Sequence, residues 1–336
     1  MNAVPPTASR ARLLVFGLVG VGLSLLALLV AFESALRIYH WLKKPDLPPV
    51  AERCLVPSDD RELVYELNAG WSREDFTVNS WGMADDELPV EKPDGVFRIA
   101  FVGDSITCNF EQRPRREIYL EILERELNAR AAPGTRFECL NFGVNGYGIL
   151  QELQVARTRA SRFAPDLLVV QLGVNDPYPS TTDYGVYGPT SVLRTWDFLY
   201  RRLRPARFWA HVYVGRMYDA EGESRLRRGF GGFAEMAESG LPTVVVLFPY
   251  LYATAYESWG FTRYHELFAE NAESFGLPLL DLYDAFSAGG LIDDTWPKDP
   301  IHPGAAGHRL AAASLLRLLE SRDLLPPGRA APAPGS

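Results

Sequence analysis

Ser105, His302 and Asp299 are the residue types that acyl transfer needs, and the sequence around each suggests how they could meet. Ser105 ends the stretch RIAFVGDS, in which the mostly apolar run Ile99 to Val102 reads as a buried strand that stops at Gly103-Asp104-Ser105. A serine there can be a nucleophile or a turn residue, and the tripeptide alone does not choose. A hydroxyl attacks an ester only with a neutral imidazole in hydrogen-bond reach, a carboxylate holding that imidazole in the right tautomer, and donors aimed at the developing oxyanion. Asp299 and His302 stand three apart in DPIHPG, a loop stiffened by Pro300 and Pro303, so one loop can deliver base and orienter together. Gly146 in NGYG offers a backbone N–H with no side chain in the way, and Asn175 in GVND offers a side-chain amide. The Ser105 N–H would be the third donor.

These residues need a scaffold that brings distant segments to one edge. From Val96 the chain alternates. Strand candidates are FRIAFVG, RFECLNFG, DLLVVQLG, PTVVVLFP and LPLLDLY, with helical periodicity near 115–131, 149–163, 221–239 and 262–275 and in the closing AAGHRLAAASLLRLLE. Continuously apolar strands separated by helices predict a parallel sheet covered on both faces. GDS, NGYG and GVND then follow three strands at their carboxyl ends, with DPIH in the loop beyond the fifth. That is the edge where open α/β sheets bind ligands.

Outside this core the chain predicts three further regions. Leu13 to Phe32 is uncharged and 20 residues long, enough at about 1.5 Å per residue to cross a bilayer's hydrocarbon core. It is expected as an uncleaved anchor, since Glu33 stands where a signal peptidase would want a small residue. Arg10 and Arg12 roughly balance Arg37, Lys43 and Lys44, so charge does not orient it. The predicted organisation is an anchor with its flanks at 1–44, a linker and small irregular β subdomain at 45–95, the main domain at 96–322, and a Pro/Ala/Gly-rich disordered tail at 323–336. Within the main domain, 177–218 is a long insertion dense in Tyr, Trp and Phe, readable as a lid or as a packed helical insertion.

Composition narrows the function classes. Lys plus Arg number 34 against 42 Asp plus Glu, a net charge of −8 with no long basic run, which argues against a nucleic-acid partner. Cys54, Cys108 and Cys139 lack metal-ligand spacing, and buried thiols are favoured over a single disulfide. His40, His211, His265 and His308 read as ordinary surface histidines.

Taken together, GDS at 103–105, Gly146, GVND at 173–176 and DPIH at 299–302 resemble the GDSL/SGNH hydrolase superfamily, over about residues 97–320. The resemblance implies a flavodoxin-like three-layer α/β/α sandwich. It also implies Ser105 as nucleophile, His302 as base, Asp299 as its orienter, and an oxyanion hole of Ser105 N–H, Gly146 N–H and Asn175. Gly143 competes for the second block, and Asn141 followed five residues later by Gly146 fits the family spacing better. Cys108-Asn109 departs from the glycine many members carry nearby. The layout before the catalytic strand is similar to membrane-anchored bacterial members. The expected function is a serine esterase of carboxylic esters, with O-acylated glycan or lipid as substrate, no metal or cofactor, and a domain outside the cytoplasm. The alternatives are an O-acyltransferase on envelope polysaccharide and a catalytically inactive scaffold that binds glycan or a partner.

Overall fold

The computed structural model describes residues 10–42, 49–109, 114–177, 220–258, 260–293 and 300–326. They fall in two compact units. The first contains α1 (Arg10–Leu42), one continuous helix. Its Leu14–Tyr39 stretch contains an 18-residue window with a mean hydropathy of 2.7, none of it buried. By length and composition it can cross a membrane, and a signal sequence would share both properties.

The second unit opens with two small antiparallel hairpins, β1 (Leu55–Pro57) with β2 (Tyr65–Leu67) and β3 (Ser72–Arg73) with β4 (Phe76–Thr77). Leu63, Tyr65, Leu67, Val78 and Met83 from this region join the same buried cluster as the main sheet. That sheet has five parallel strands: β5 (Val96–Val102), β6 (Arg136–Asn141), β7 (Leu167–Leu172), β8 (Thr243–Leu247) and β9 (Leu279–Asp281). Its spatial order is β6-β5-β7-β8-β9. This is the flavodoxin-like order, in which the chain first steps to one side of β5 and then to the other. The crevice where the order reverses lies between the carboxyl ends of β5 and β7.

Alternation along the strands sends side chains into two cores. Ala100, Val102, Leu168, Val170, Val245 and Leu247 face α4 (Ile149–Thr158), α5 (Ala220–Glu238) and α7 (Phe261–Ser274). Ile99, Phe101, Val169, Val244 and Val246 face α3 (Tyr119–Ala129), α8 (Tyr283–Ala288) and α9 (Ala305–Ser321). The result is the α/β/α sandwich with apolar strands that double-sided burial demands. Two more short helices, α2 (Ser105–Cys108) and α6 (Ala253–Ser258), follow β5 and β8. The three cysteines are buried thiols.

Two histidines differ from the surface role expected of them. His308 in α9 is 1% exposed; its Nδ1 accepts the Tyr119 N–H at 3.3 Å and its ring stacks on that of Tyr119. His265 in α7 pairs through Nδ1 with Asp281 Oδ2 at 2.6 Å, inside a ring of Tyr256, Tyr264 and Tyr283. Helical periodicity put both on helices but could not say which neighbours would close over them.

Candidate active site

The chain leaves β5 through Gly103 and turns at once into α2. A side chain at Gly103 would put its Cβ 2.5 Å from both Gln171 Oε1 and Thr107 Oγ1, so only glycine lets β5, β7 and α2 approach this closely. Asp104 is the N-cap of α2: its Oδ1 accepts the Ile106 N–H at 2.8 Å. The cap fixes the turn, and Ser105 becomes the first residue of the helix, 8% exposed. Gln171, at the end of β7, accepts both the Asp104 N–H at 3.1 Å and the Thr107 hydroxyl at 2.8 Å.

From the other end of the sequence, the loop before α9 brings His302 to this turn. Its Nε2 lies 2.7 Å from Ser105 Oγ. That loop is tied to the segment after β8 by Leu251 N–H donating to Pro300 O at 2.7 Å. Asp299, the expected orienter, lies outside the described residues, as do nearly all of the aromatic insertion and Trp196 and Trp209 within it.

Asn175 stands in the Gly173–Asp176 turn after β7, and its Nδ2 donates to Asp104 Oδ2 at 2.9 Å. The structure thus joins the third expected block to the first through Asp104. Gly146 occupies the turn after β6 with φ of +75°, the left-handed region that favours glycine. Its rival Gly143 is otherwise engaged. The Gly143 N–H donates to Asn141 Oδ1 at 3.0 Å, and a Cβ there would lie 2.4 Å from the Cys108 nitrogen, so Gly143 serves close packing against α2.

The electrostatics centre on Asp104, which sequence reading placed in the motif but gave no task. Burial pushes its carboxyl above the ordinary range, opposed by the Ile106 amide, His302, Gln171 and Asn175. Its two oxygens join the Ser105 turn to the amide of Asn175. Gln171 and Asn141 were also missed. Asn141 Nδ2 donates to Thr107 O at 2.9 Å, so β6 and β7 each brace α2 through one amide side chain. For Gln171 the available signal was a polar residue inside an otherwise apolar strand.

A buried serine in contact with imidazole, presented at the switch point of a flavodoxin-like sheet, belongs to the ester-hydrolysing enzymes of this architecture. The chain is a member of the GDSL-like lipase/acylhydrolase family, whose model matches residues 101–310. No curated protein sequence matches it. Among solved structures it is similar to the alpha/beta hydrolase LAE5 from the metagenome of Lake Arreo, Spain, at 19% identity and a TM-score of 0.45, over 66% of this chain and 94% of that one. It is similar to a catalytic mutant of Axe2, an acetylxylan esterase from Geobacillus stearothermophilus, at 18% identity and a TM-score of 0.45, over 66% and 93%. It is also similar to the lipase/acylhydrolase from Enterococcus faecalis at 17% identity and a TM-score of 0.45, over 67% and 96%.

Proposed function

We propose that this enzyme hydrolyses carboxylic O-acyl esters through an acyl-serine intermediate, with Ser105 as nucleophile, His302 as general base and Asp299 as the carboxylate that orients His302. The observation that carries the reading is the 2.7 Å contact between His302 Nε2 and Ser105 Oγ. His302 takes the hydroxyl proton as Ser105 attacks the carbonyl carbon, then returns it to the leaving alkoxide. Water, deprotonated by the same imidazole, releases the acid and regenerates the serine. The Ser105 and Gly146 N–H groups and the Asn175 amide receive the oxyanion, Asn175 using the N–H that Asp104 does not hold.

The same reading takes α1 as a single-pass anchor, with the hydrolase domain on the extracytoplasmic side and O-acylated glycans as substrate. The apolar length of α1 supports the anchor, and the aromatic residues of 177–218, suited to sugar faces, support the glycan. The test is the full chain in detergent micelles with a short-chain aryl ester and a serine-reactive phosphonate, the modified peptide being mapped. Labelling at Ser105 that blocks turnover is expected. Labelling elsewhere would overturn the assignment, and labelling at Ser105 in a chain that never turns over with water would move the reaction to acyl transfer.

A further inference from the structure

One donor of the proposed oxyanion hole belongs to the peptide between Asn145 and Gly146, and the turn that carries this peptide is gripped from the hairpin region ahead of β5. The Val144 N–H donates to Gly103 O at 3.0 Å, which fastens the turn to the chain just before Ser105. The Tyr147 N–H donates to Val144 O at 3.2 Å and closes a four-residue turn with Asn145 and Gly146 at its centre. Gly146 has φ of +75° while Asn145 is not among the residues of positive φ, which makes the turn type II. Types I and II share the same closing hydrogen bond and differ by turning the central peptide over, by about 180°. Glycine at the third position tolerates either form. Closure of the turn therefore does not decide which way the Gly146 N–H points.

Tyr65, in β2, decides it. Its hydroxyl donates to Asn145 O at 2.8 Å. A trans peptide is planar, with its C=O and N–H on opposite sides, so a donor seated on the oxygen also sets the direction of the N–H. The same hydrogen bond polarises the peptide and makes that N–H a stronger donor. Tyr65 itself is held on several sides. It is fully buried, its ring lies 5.3 Å from that of Tyr147, and the Tyr147 hydroxyl donates to Tyr65 O. Gln151 Nε2, from α4, donates to Leu63 O at 2.6 Å. Between them Val64 has φ of +67°, a left-handed backbone that β-branched residues rarely adopt. Such strain persists only where the surroundings over-determine it, and it gathers near functional sites.

We propose that Tyr65 is a positioning residue of the oxyanion hole: its hydroxyl locks the Asn145–Gly146 peptide in the type II orientation and so aims the Gly146 N–H. The hairpin region, to which sequence reading gave no catalytic task, thereby contributes to the site. The inference rests on the Gly146 N–H being an oxyanion donor.

Steady-state kinetics of the full chain in detergent micelles on 4-nitrophenyl acetate, with melting temperature measured beside them, test it. Turnover is counted per Ser105 that a serine-reactive phosphonate labels at completion, so any unfolded fraction drops out. Tyr65→Phe keeps the ring and loses only the hydroxyl. Its kcat should fall roughly ten- to a hundredfold at unchanged KM, less than the loss on outright removal of an oxyanion donor. Gln151→Leu cuts the hairpin's tie to α4 without touching the turn, and should lower the melting temperature while keeping kcat. An unchanged kcat in Tyr65→Phe, or a rise in KM alone, would overturn the proposal. A comparable fall of kcat in Gln151→Leu would overturn it too, by reducing Tyr65 to general packing. Ser105→Ala separates the two levels: if it is inactive while Tyr65→Phe is fully active, the positioning role fails and the reading of the site stands, whereas full turnover by Ser105→Ala would sink both.

Discussion

The two ends of β5 handle buried charge in opposite ways. At its amino end Arg98 is fully buried, yet Nε donates to Glu138 at 3.0 Å, Nη1 to the carbonyls of Val90 and Phe163 at 2.8 and 2.9 Å, and Nη2 to Pro89 O at 2.8 Å. Its backbone N–H donates to Asp166 Oδ2 at 2.8 Å, and Lys92 Nζ lies 2.6 Å from the other oxygen of Asp166. At the carboxyl end, Asp104 is buried, as are Asp176 beyond β7 and Glu152 on α4, and three oxygens of the last two have no partner among the described residues. A satisfied buried network fixes register and packing, whereas an under-satisfied one costs stability and survives where it has another use. The amino end staples the domain. The carboxyl end holds a site.

The comparison is sharpest where the two ends should fail differently. The largest effect is expected at the carboxyl end. Ser105→Ala and His302→Ala should each remove nearly all turnover, on the order of 10⁶-fold when such residues act as a unit. The double variant should lose little more, with melting temperature almost unmoved. Additive losses in kcat/KM would dissolve the unit.

At the amino end, Arg98→Met should cost about 3–5 kcal/mol, because it leaves Glu138 and several carbonyls buried without their donor. Urea denaturation would read that loss, and kcat per folded molecule should stay constant. A fall in kcat without a fall in stability would erase the contrast between the two ends.

The smallest expected effect is a pH dependence. Glu152 has a folded-state pKa raised above the unfolded value of about 4.3, so folding takes up a proton between those two values. Its contribution to stability is therefore greatest below the unfolded pKa and is lost as pH rises toward the folded one. Glu152→Gln has nothing to protonate. Its melting temperature should match the unaltered chain near pH 4 and exceed it increasingly toward pH 8, by on the order of 2–4 °C per kcal/mol of the proton's contribution. A gap that stays constant with pH would mean that Glu152 does not titrate between the two states.

The parallel strands could be read because a sheet buried on both faces must be apolar throughout, as Leu167–Leu172 and Thr243–Leu247 very nearly are. The helical segments were legible for the same reason at a period of 3.6, although two read too long. The 115–131 segment opens with a 3₁₀ turn at Arg115–Glu117, and 149–163 ends in another at Ala160–Phe163. Side-chain periodicity barely separates such turns from helix. Within 45–95, read as a linker and small irregular β subdomain, the described residues from 49 onward include two hairpins, and buried side chains of this region share a cluster with the main sheet. No local pattern carries that fact, because the partners of Tyr65 and Met83 lie far along the chain.

By itself the sequence determined the element types, the apolar length of α1 and the residue types at the strand ends, since periodicity, hydropathy and turn chemistry are local properties. Only the tertiary structure decided that His302 meets Ser105 across 197 positions of sequence, that Asp104 links that turn to Asn175, and that Glu152 on α4 is fully buried. Those distances follow from strand order and from which helices cover which face. An acid on a helix reads as a solvated side chain until the fold closes over it.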